Sequence, residues 1–183
     1  MCKLLIMTGI TEGLVAEELM KRMAKPMSER NRDGIGYTAV AGDGELFSER
    51  WLNNKQFFDV SNIMTPEIAD ALAPYANRLP DGALDINYST LGNINFQDVR
   101  SVTMHTRYAT CGKEFANTHP FIYEDTSLIH NGSISNAFST QYRAGLDVNK
   151  ISTCDSEAAL QTYLAKGVNL DPKKAKEWLD GLS

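Results

Sequence analysis

The chain has 183 residues, of which 43% are hydrophobic and 22% are charged, and its formal net charge is −5. This balance favours a single globular domain over residues 1–183 with a core of its own. The acidic charge argues against a nucleic-acid surface, because no basic cluster exceeds Lys21-Arg22 or the short stretch at 173–176. No apolar run approaches the ~20 residues of a membrane span, and the start of the chain lacks the features of a signal peptide. We therefore expect a soluble, cytoplasmic protein that binds neither nucleic acid nor membrane.

The cysteines are odd in number and far apart, at Cys2, Cys111 and Cys154. This spacing is not that of a disulfide framework, so we expect free thiols in a reducing compartment. Three histidines raise zinc as an alternative, but no Cys-x-x-Cys or paired-histidine spacing is present. The sequence therefore predicts neither a metal site nor a cofactor.

The first predicted element is a strand that begins beside a cysteine. A side chain as small as that of Cys2 normally allows removal of the preceding Met1, which would leave a thiol nucleophile and an α-amine base on one residue. The apolar run at 4–7 predicts a buried strand that holds this residue rigidly. The alternative is that Cys2 is only a small buried hydrophobe near a terminus.

A helix and a hairpin follow. Apolar residues recur at helical spacing over 14–23, and we expect this helix to end before Pro26. Residues 34–41 and 45–48 flank Gly42-Asp43-Gly44, and this arrangement is typical of a β-hairpin.

The middle of the chain gives weaker signals. Short helices are predicted at 53–60 and 66–76, the second capped by Thr65 with Pro66 at its first position. Residues 79–97 are rich in Asp, Asn and Gly and are interpreted as an ordered insertion or a flap.

Polar side chains concentrate around two predicted strands. A strand at 101–106 leads into a tight loop at 107–112, and a strand at 127–130 runs directly into Asn131-Gly132. A further polar segment lies between them at 117–121.

Helices are predicted to complete the chain, at 135–143, from the Asp155-Ser156 pair through about Ala165, and at 172–182. Asp155 or Ser156 is expected to cap the second of these helices.

Taken singly, several of these residues have simpler interpretations. Asn131-Gly132 has the composition of a plain turn, and Asp155 begins a helix as acidic residues often do. His105 and His130 are both interpreted as core histidines. Arg107 is harder to explain in this way, because an arginine at the mouth of an apolar strand needs an anionic partner, from the protein or from a ligand.

Six motifs follow one another along the chain: Cys2, Asp33-Gly34-Ile35-Gly36, residues 105–112, residues 117–121, His130-Asn131-Gly132 and Asp155-Ser156-Glu157. The order of these motifs resembles that of the class II glutamine amidotransferase domain, a family of N-terminal nucleophile hydrolases. The residues of these motifs are most similar to those of the small stand-alone members, some of which act in γ-glutamyl or glutathione metabolism. The resemblance implies an α+β fold, a four-layer α/β/β/α sandwich of two mainly antiparallel sheets between helices.

The resemblance also implies how glutamine, or a related γ-glutamyl small molecule, would be bound. Its α-carboxylate would pair with the planar fork of Arg107 and its α-ammonium with Asp155. The remaining pocket residues implied by the motifs are Tyr108, Thr110 and His119.

The implied reaction is attack by the Cys2 thiolate on the side-chain amide, which forms a thioester and releases ammonia. The oxyanion would be held by the Asn131 side-chain amide and the Gly132 backbone N–H.

The chain departs from the family pattern in two places. Cys111 stands where relatives with a similar loop often carry histidine, which puts a pocket contact in doubt and adds a second thiol. The chain also stops about one helix after Asp155-Ser156-Glu157, where relatives continue with further strands. We therefore expect a sandwich that lacks C-terminal strands, as a minimal member, as a fragment, or as one completed by a second chain.

Three functions remain open from the sequence. The first is an amidohydrolase acting on glutamine, with water or an acceptor-domain protein receiving the ammonia. The second is a binding or regulatory module that keeps the pocket without turnover. The third is an N-terminal cysteine hydrolase that acts on another γ-glutamyl amide or peptide.

Overall fold

The computed structural model describes residues 2–52, 96–110, 112–146, 152–168 and 171–182. Within these residues the fold is mixed, with helices and two antiparallel sheets, so the α+β class is confirmed. The expectations for Met1, for the helices at 53–60 and 66–76, for residues 79–95 and for Cys111 lie outside the described residues.

The larger sheet has four strands in the order β1-β4-β2-β3, and the smaller sheet pairs β5 with β6. The strands are β1 (Lys3–Thr8), β2 (Gly34–Ala41), β3 (Leu46–Trp51), β4 (Val99–Arg107), β5 (Phe121–Tyr123) and β6 (Thr126–Leu128). The helices are α1 (Gly13–Ser28), α2 (Ala137–Arg143), α3 (Asp155–Ala165) and α4 (Pro172–Asp180), and short 3₁₀ turns lie at Phe96–Asp98 and Phe115–Asn117.

The core lies between α1 and one face of the larger sheet. Side chains alternate across a strand, so the register sends one set from each strand toward α1. Tyr37 and Met104 are directly opposite each other on β2 and β4, and both are fully buried against Met20 of α1. Because these strands bury their apolar residues against α1, the apolar pattern of the sequence predicts the hairpin and β4.

The predicted end of the first helix is wrong, because α1 continues through Pro26 to Ser28. A proline inside a helix removes one hydrogen bond and usually breaks the helix. Here Met27 packs into the core at 4% exposure, and its carbonyl accepts hydrogen bonds from Thr106 Oγ1 (3.1 Å) and Asn31 Nδ2 (3.2 Å). These tertiary contacts hold the last turn in place.

The prediction that the first strand is buried is also wrong. β1 is at the edge of the larger sheet among the described strands, and Leu4 and Ile6 are 39% and 62% exposed. Leu5 and Met7, on the other face, pack against the core. An edge strand needs to bury only one face, so an apolar run is not sufficient to predict that the whole strand is buried.

The opposite face of the larger sheet contacts the segment that leads to the smaller sheet. A Cβ at Gly36 would lie 2.2 Å from the His119 carbonyl oxygen, so only glycine allows this close approach. The imidazoles of His105 and His119 stack there with ring centroids 4.2 Å apart. Beyond this segment, Phe121 packs against Leu160 of α3 in a second, smaller core.

Several boundaries differ from the predicted ones. The strand expected to reach His130 ends at Leu128. Neither Asp155 nor Ser156 caps α3, because the residue at the cap is Cys154, which makes no capping hydrogen bond with its side chain. The last helix ends at Asp180.

No helix in the described part of the chain is long and apolar enough to cross a membrane.

Candidate functional site

One pocket of about 280 Å³ contains every residue that the sequence singled out for binding or catalysis. These residues come from separate parts of the chain and meet because strand ends, a loop and a helix start converge there. The predicted residues that line it are Cys2, Arg107, Tyr108, Thr110, His119, Asn131, Gly132 and Asp155. Sequence reasoning gave no pocket role to His130, Ser133, Cys154 or Ser156, which also line it.

Cys2 lies beside the end of β4 because β1 and β4 pair with Lys3 opposite Thr106. Its thiol is partly exposed. The Tyr108 backbone N–H donates to Cys2 Sγ at 3.4 Å, and the thiol donates to the Tyr108 carbonyl oxygen at 3.6 Å. The sulfur is therefore held at the pocket wall next to a backbone donor.

Asn131 and Gly132 lie in the exposed loop that follows β6. The Asn131 Nδ2 atom donates to the Cys2 carbonyl oxygen at 2.8 Å, so the amide sits directly beside the cysteine. A Cβ at Gly132 would lie 2.9 Å from His130 Nε2, so glycine lets this loop fold tightly over the histidine ring. The Asn131 amide is therefore held against the Cys2 backbone, and Gly132 follows it in the pocket lining.

Arg107 ends β4 and is almost fully buried, at 2% exposure. Its Nη2 atom donates to the Gly112 carbonyl oxygen, which folds the loop after β4 back over the guanidinium.

Asp33 holds the same loop from outside the pocket. Its Oδ2 accepts from the Ala109 N–H at 2.9 Å, its Oδ1 pairs with Lys113 Nζ at 2.8 Å, and its own N–H donates to the Arg107 carbonyl oxygen. The Ala109 N–H, and then Lys113, hold the pKa of Asp33 below its usual range. Asp33 is the first residue of the Asp-Gly-x-Gly motif. The motif does not predict that Asp33 fixes the loop after β4, because these contacts are distant in sequence.

Asp155, the first residue of α3, links that helix to the loop that follows Gly132. Its Oδ2 accepts from the Ile134 N–H at 2.6 Å, and the Ser156 hydroxyl lies 3.3 Å from its Oδ1. The carboxylate therefore already takes part in fixing the pocket wall.

The expectation of a core position is wrong for His130, which is partly exposed at the pocket, while His105 is fully buried. The His130 Nδ1 atom lies 3.0 Å from Ser156 Oγ, within hydrogen-bond distance. This contact supports the ring under Gly132.

His119 forms a neutral wall of the pocket rather than a charged one. It is 5% exposed, and its ring also meets Phe121 edge-on at 4.7 Å. Burial lowers the pKa of His119 to about 2 and that of His105 to about 4. Both imidazoles are therefore neutral near pH ~7. Tyr108 and Thr110 are exposed at the rim.

The described residues contain no group of three or more His, Cys, Asp or Glu side chains placed to hold a metal ion. The pocket instead combines a thiol, amide donors, a guanidinium and a carboxylate. This set can bind a small zwitterion and attack a carbonyl carbon.

No model of a known protein family matches the chain, and no curated protein matches it at a significant level.

Proposed function

We propose that the protein hydrolyses the side-chain amide of glutamine, or of a close γ-glutamyl relative, through a thioester at Cys2. The observation that carries the proposal is that a thiol, a donor pair, a cation and an anion meet in one pocket. The motif order that resembles class II glutamine amidotransferases supports the same assignment.

The pocket is suited to a ligand the size of one amino acid. Its volume of about 280 Å³ is near the lower end of ligand sites, which span roughly 300–1,000 Å³. In the proposal, the Arg107 guanidinium takes the α-carboxylate and the Asp155 carboxylate takes the α-ammonium. Glutamine bound by both ends would extend its amide toward the thiol.

The first chemical step requires a free α-amine at Cys2 and therefore removal of Met1. The amine takes the thiol proton, and the thiolate attacks the amide carbon, so that the carbonyl π electrons move to oxygen. The Tyr108 N–H lies 3.4 Å from the sulfur and helps to hold it in position for this attack.

The oxyanion is held by the Asn131 amide and the Gly132 N–H, and loss of one such donor typically costs about 3–4 kcal/mol of barrier. The tetrahedral intermediate collapses, the C–N bond breaks, and the protonated α-amine gives its proton to the departing ammonia. Water then hydrolyses the thioester to glutamate and restores the thiol.

The proposal extends to the finer fold and to the setting of the enzyme. The order of α1, larger sheet, smaller sheet and α3 suits a four-layer α/β/β/α sandwich. Free thiols at Cys2 and Cys154 suit a reducing compartment, so we assign the enzyme to the cytoplasm. Water or an acceptor-domain protein would receive the ammonia.

Replacement of single cysteines tests the proposal. Cys2→Ala should lower glutamate formation from glutamine by more than about 10³-fold, because it removes the nucleophile. Cys154→Ala is the matched control, since it removes a second pocket thiol that has no chemical step in the proposal. Ammonia and glutamate are measured together and should form in equal amounts. Undiminished turnover in Cys2→Ala would rule the mechanism out.

A binding module without turnover is the second candidate. It is favoured by the hydrogen bond that already engages the Asn131 amide with the Cys2 carbonyl oxygen. Calorimetry with glutamine, run beside an ammonia assay on the same sample, separates the two functions. Heat of binding without ammonia would support the module.

A further inference from the structure

A second cavity, of about 200 Å³, is lined in part by residues that are neighbours in sequence of those lining the first. His119 lines the first pocket, whereas Pro120 and Phe121 line the second. The first turn of α3 divides in the same way, with Asp155 in the first pocket and Glu157 in the second. The second cavity opens between β3 and β5 and is lined by Ser48, Arg50, Ala116, Pro120, Phe121, Ile122, Tyr123 and Glu157.

Most polar groups of this cavity are already satisfied by the protein. The Ser48 hydroxyl donates to the Tyr37 carbonyl oxygen at 3.0 Å, and the Tyr123 hydroxyl donates to Glu157 Oε1. Glu157 is 2% exposed, and its Oε2 accepts from the backbone N–H and the hydroxyl of Ser152. The hydroxyl protons and the carboxylate therefore have partners without a ligand.

Arg50 is the exception. Its guanidinium lies 4.9 Å from the centre of the Phe115 ring, and its Nη1 atom donates to the Thr118 carbonyl oxygen at 3.0 Å. Among the described residues this hydrogen bond uses one of the five N–H donors of the guanidinium. Burial lowers the pKa of Arg50, and the Glu157 carboxylate in the same cavity opposes this shift only in part. A half-buried guanidinium of this kind is best stabilised by an anion that accepts two hydrogen bonds.

We propose that the second cavity binds a small monocarboxylate with a short apolar chain. The carboxylate pairs with the remaining donors of Arg50, and the chain lies against Pro120, Phe121 and Ile122. Arg50 has open donors, whereas the carboxylate and hydroxyl groups of the cavity already have protein partners. A monocarboxylate fits this lining better than a sugar or an amine, which would need further open donors or acceptors. The proposal is independent of the chemistry at Cys2.

Binding of a matched ligand series to the full chain tests the site. Butyrate, butyramide and n-butylamine have the same apolar chain and differ in charge, and each is titrated while backbone amide signals are followed by NMR. In the wild-type protein, butyrate should bind at least about tenfold more tightly than the other two, which corresponds to about 1.4 kcal/mol. Shifts should centre on Phe121 and Ile122.

Variants of the cavity give the controls. Arg50→Gln keeps an amide of similar length without the charge, and it should remove the preference for butyrate. Ile122→Trp fills the cavity and should abolish binding without touching the cation, which keeps the test decisive if Arg50→Gln does not fold. Equal affinity for butyrate and butyramide, or a preference that survives in Arg50→Gln, would overturn the proposal, as would shifts confined to residues 131–133.

Cys2→Ala separates this inference from the proposed function. It should abolish glutamate formation and leave butyrate affinity unchanged. Loss of butyrate binding in that variant would move the carboxylate site into the first pocket.

Discussion

Acidification should destabilise the protein through the stacked pair of His105 and His119. Both rings are buried with centroids 4.2 Å apart, and burial lowers their pKa values to about 4 and about 2. An unfolded histidine titrates near pH ~6.5, so below that pH the unfolded chain binds protons that the folded chain excludes. Stability is therefore lost as the pH falls from ~6.5 toward the folded pKa values.

The size of this effect follows from the same values. At about pH 5, each unfolded histidine is almost fully protonated while the folded rings remain mainly neutral, which amounts to about 2 kcal/mol per histidine. The pair therefore accounts for a loss of about 4 kcal/mol between about pH 7.5 and pH 5.

Urea unfolding at both pH values measures the effect. In His119→Phe, which keeps an aromatic ring in the stack without a titrating nitrogen, the acid-induced loss should be about 2 kcal/mol smaller than in the wild-type protein. Carboxylates elsewhere titrate in both proteins, so their contribution cancels in the comparison. Equal losses in the two proteins would refute the burial argument.

Three further substitutions test the site and its supports. Gly132→Ala places a Cβ 2.9 Å from His130 Nε2 and should lower kcat about 10²-fold by displacing an oxyanion donor. An unchanged kcat would contradict the role proposed for Gly132. Gly36→Ala places a Cβ 2.2 Å from the His119 carbonyl oxygen and should lower the free energy of unfolding by about 3 kcal/mol in urea, whereas a neutral effect would mean that this contact is loose. Asp33→Asn should lower the free energy of unfolding by about 1–2 kcal/mol near neutral pH. Thermal melts should show this difference fading as the pH falls from ~4 through the lowered folded pKa of Asp33, because the wild-type carboxyl then also loses its charge. A difference that stays constant down to acid would show that the charge is not responsible.

The elements that the sequence predicted well are those governed by local pattern. β2 and β3 flank a glycine turn, and α3 ends at Ala165 as predicted, although its cap does not match the prediction. The candidate residues could also be identified without a structure, because the order of their motifs resembles that of a known family, although no single motif is specific. Their chemical roles remain predictions.

Tertiary contacts decided the features that the sequence could not give. α1 passes through Pro26 because Met27 is buried and its carbonyl is engaged. β1 is half exposed because of its place in the sheet rather than its composition. The second glycine of the Asp-Gly-x-Gly motif, Gly36, allows the close approach of His119 and Pro120, and no local rule predicts this contact.

His130 is the clearest missed residue of the site. Its partner Ser156 is 26 residues away in sequence, and neither residue has a local signal for the contact. The available clue was adjacency, since His130 precedes Asn131 and Ser156 follows Asp155 in motifs that were already identified.

The central claim is that Cys2 is a processed nucleophile that recognises glutamine. The most direct test is the intact mass of the purified protein before and after treatment with a diazo-ketone analogue of glutamine, with Cys2→Ala as the control. We predict loss of one methionine and a single adduct that is absent in the control. Retained Met1, or the same labelling in Cys2→Ala, would contradict the mechanism.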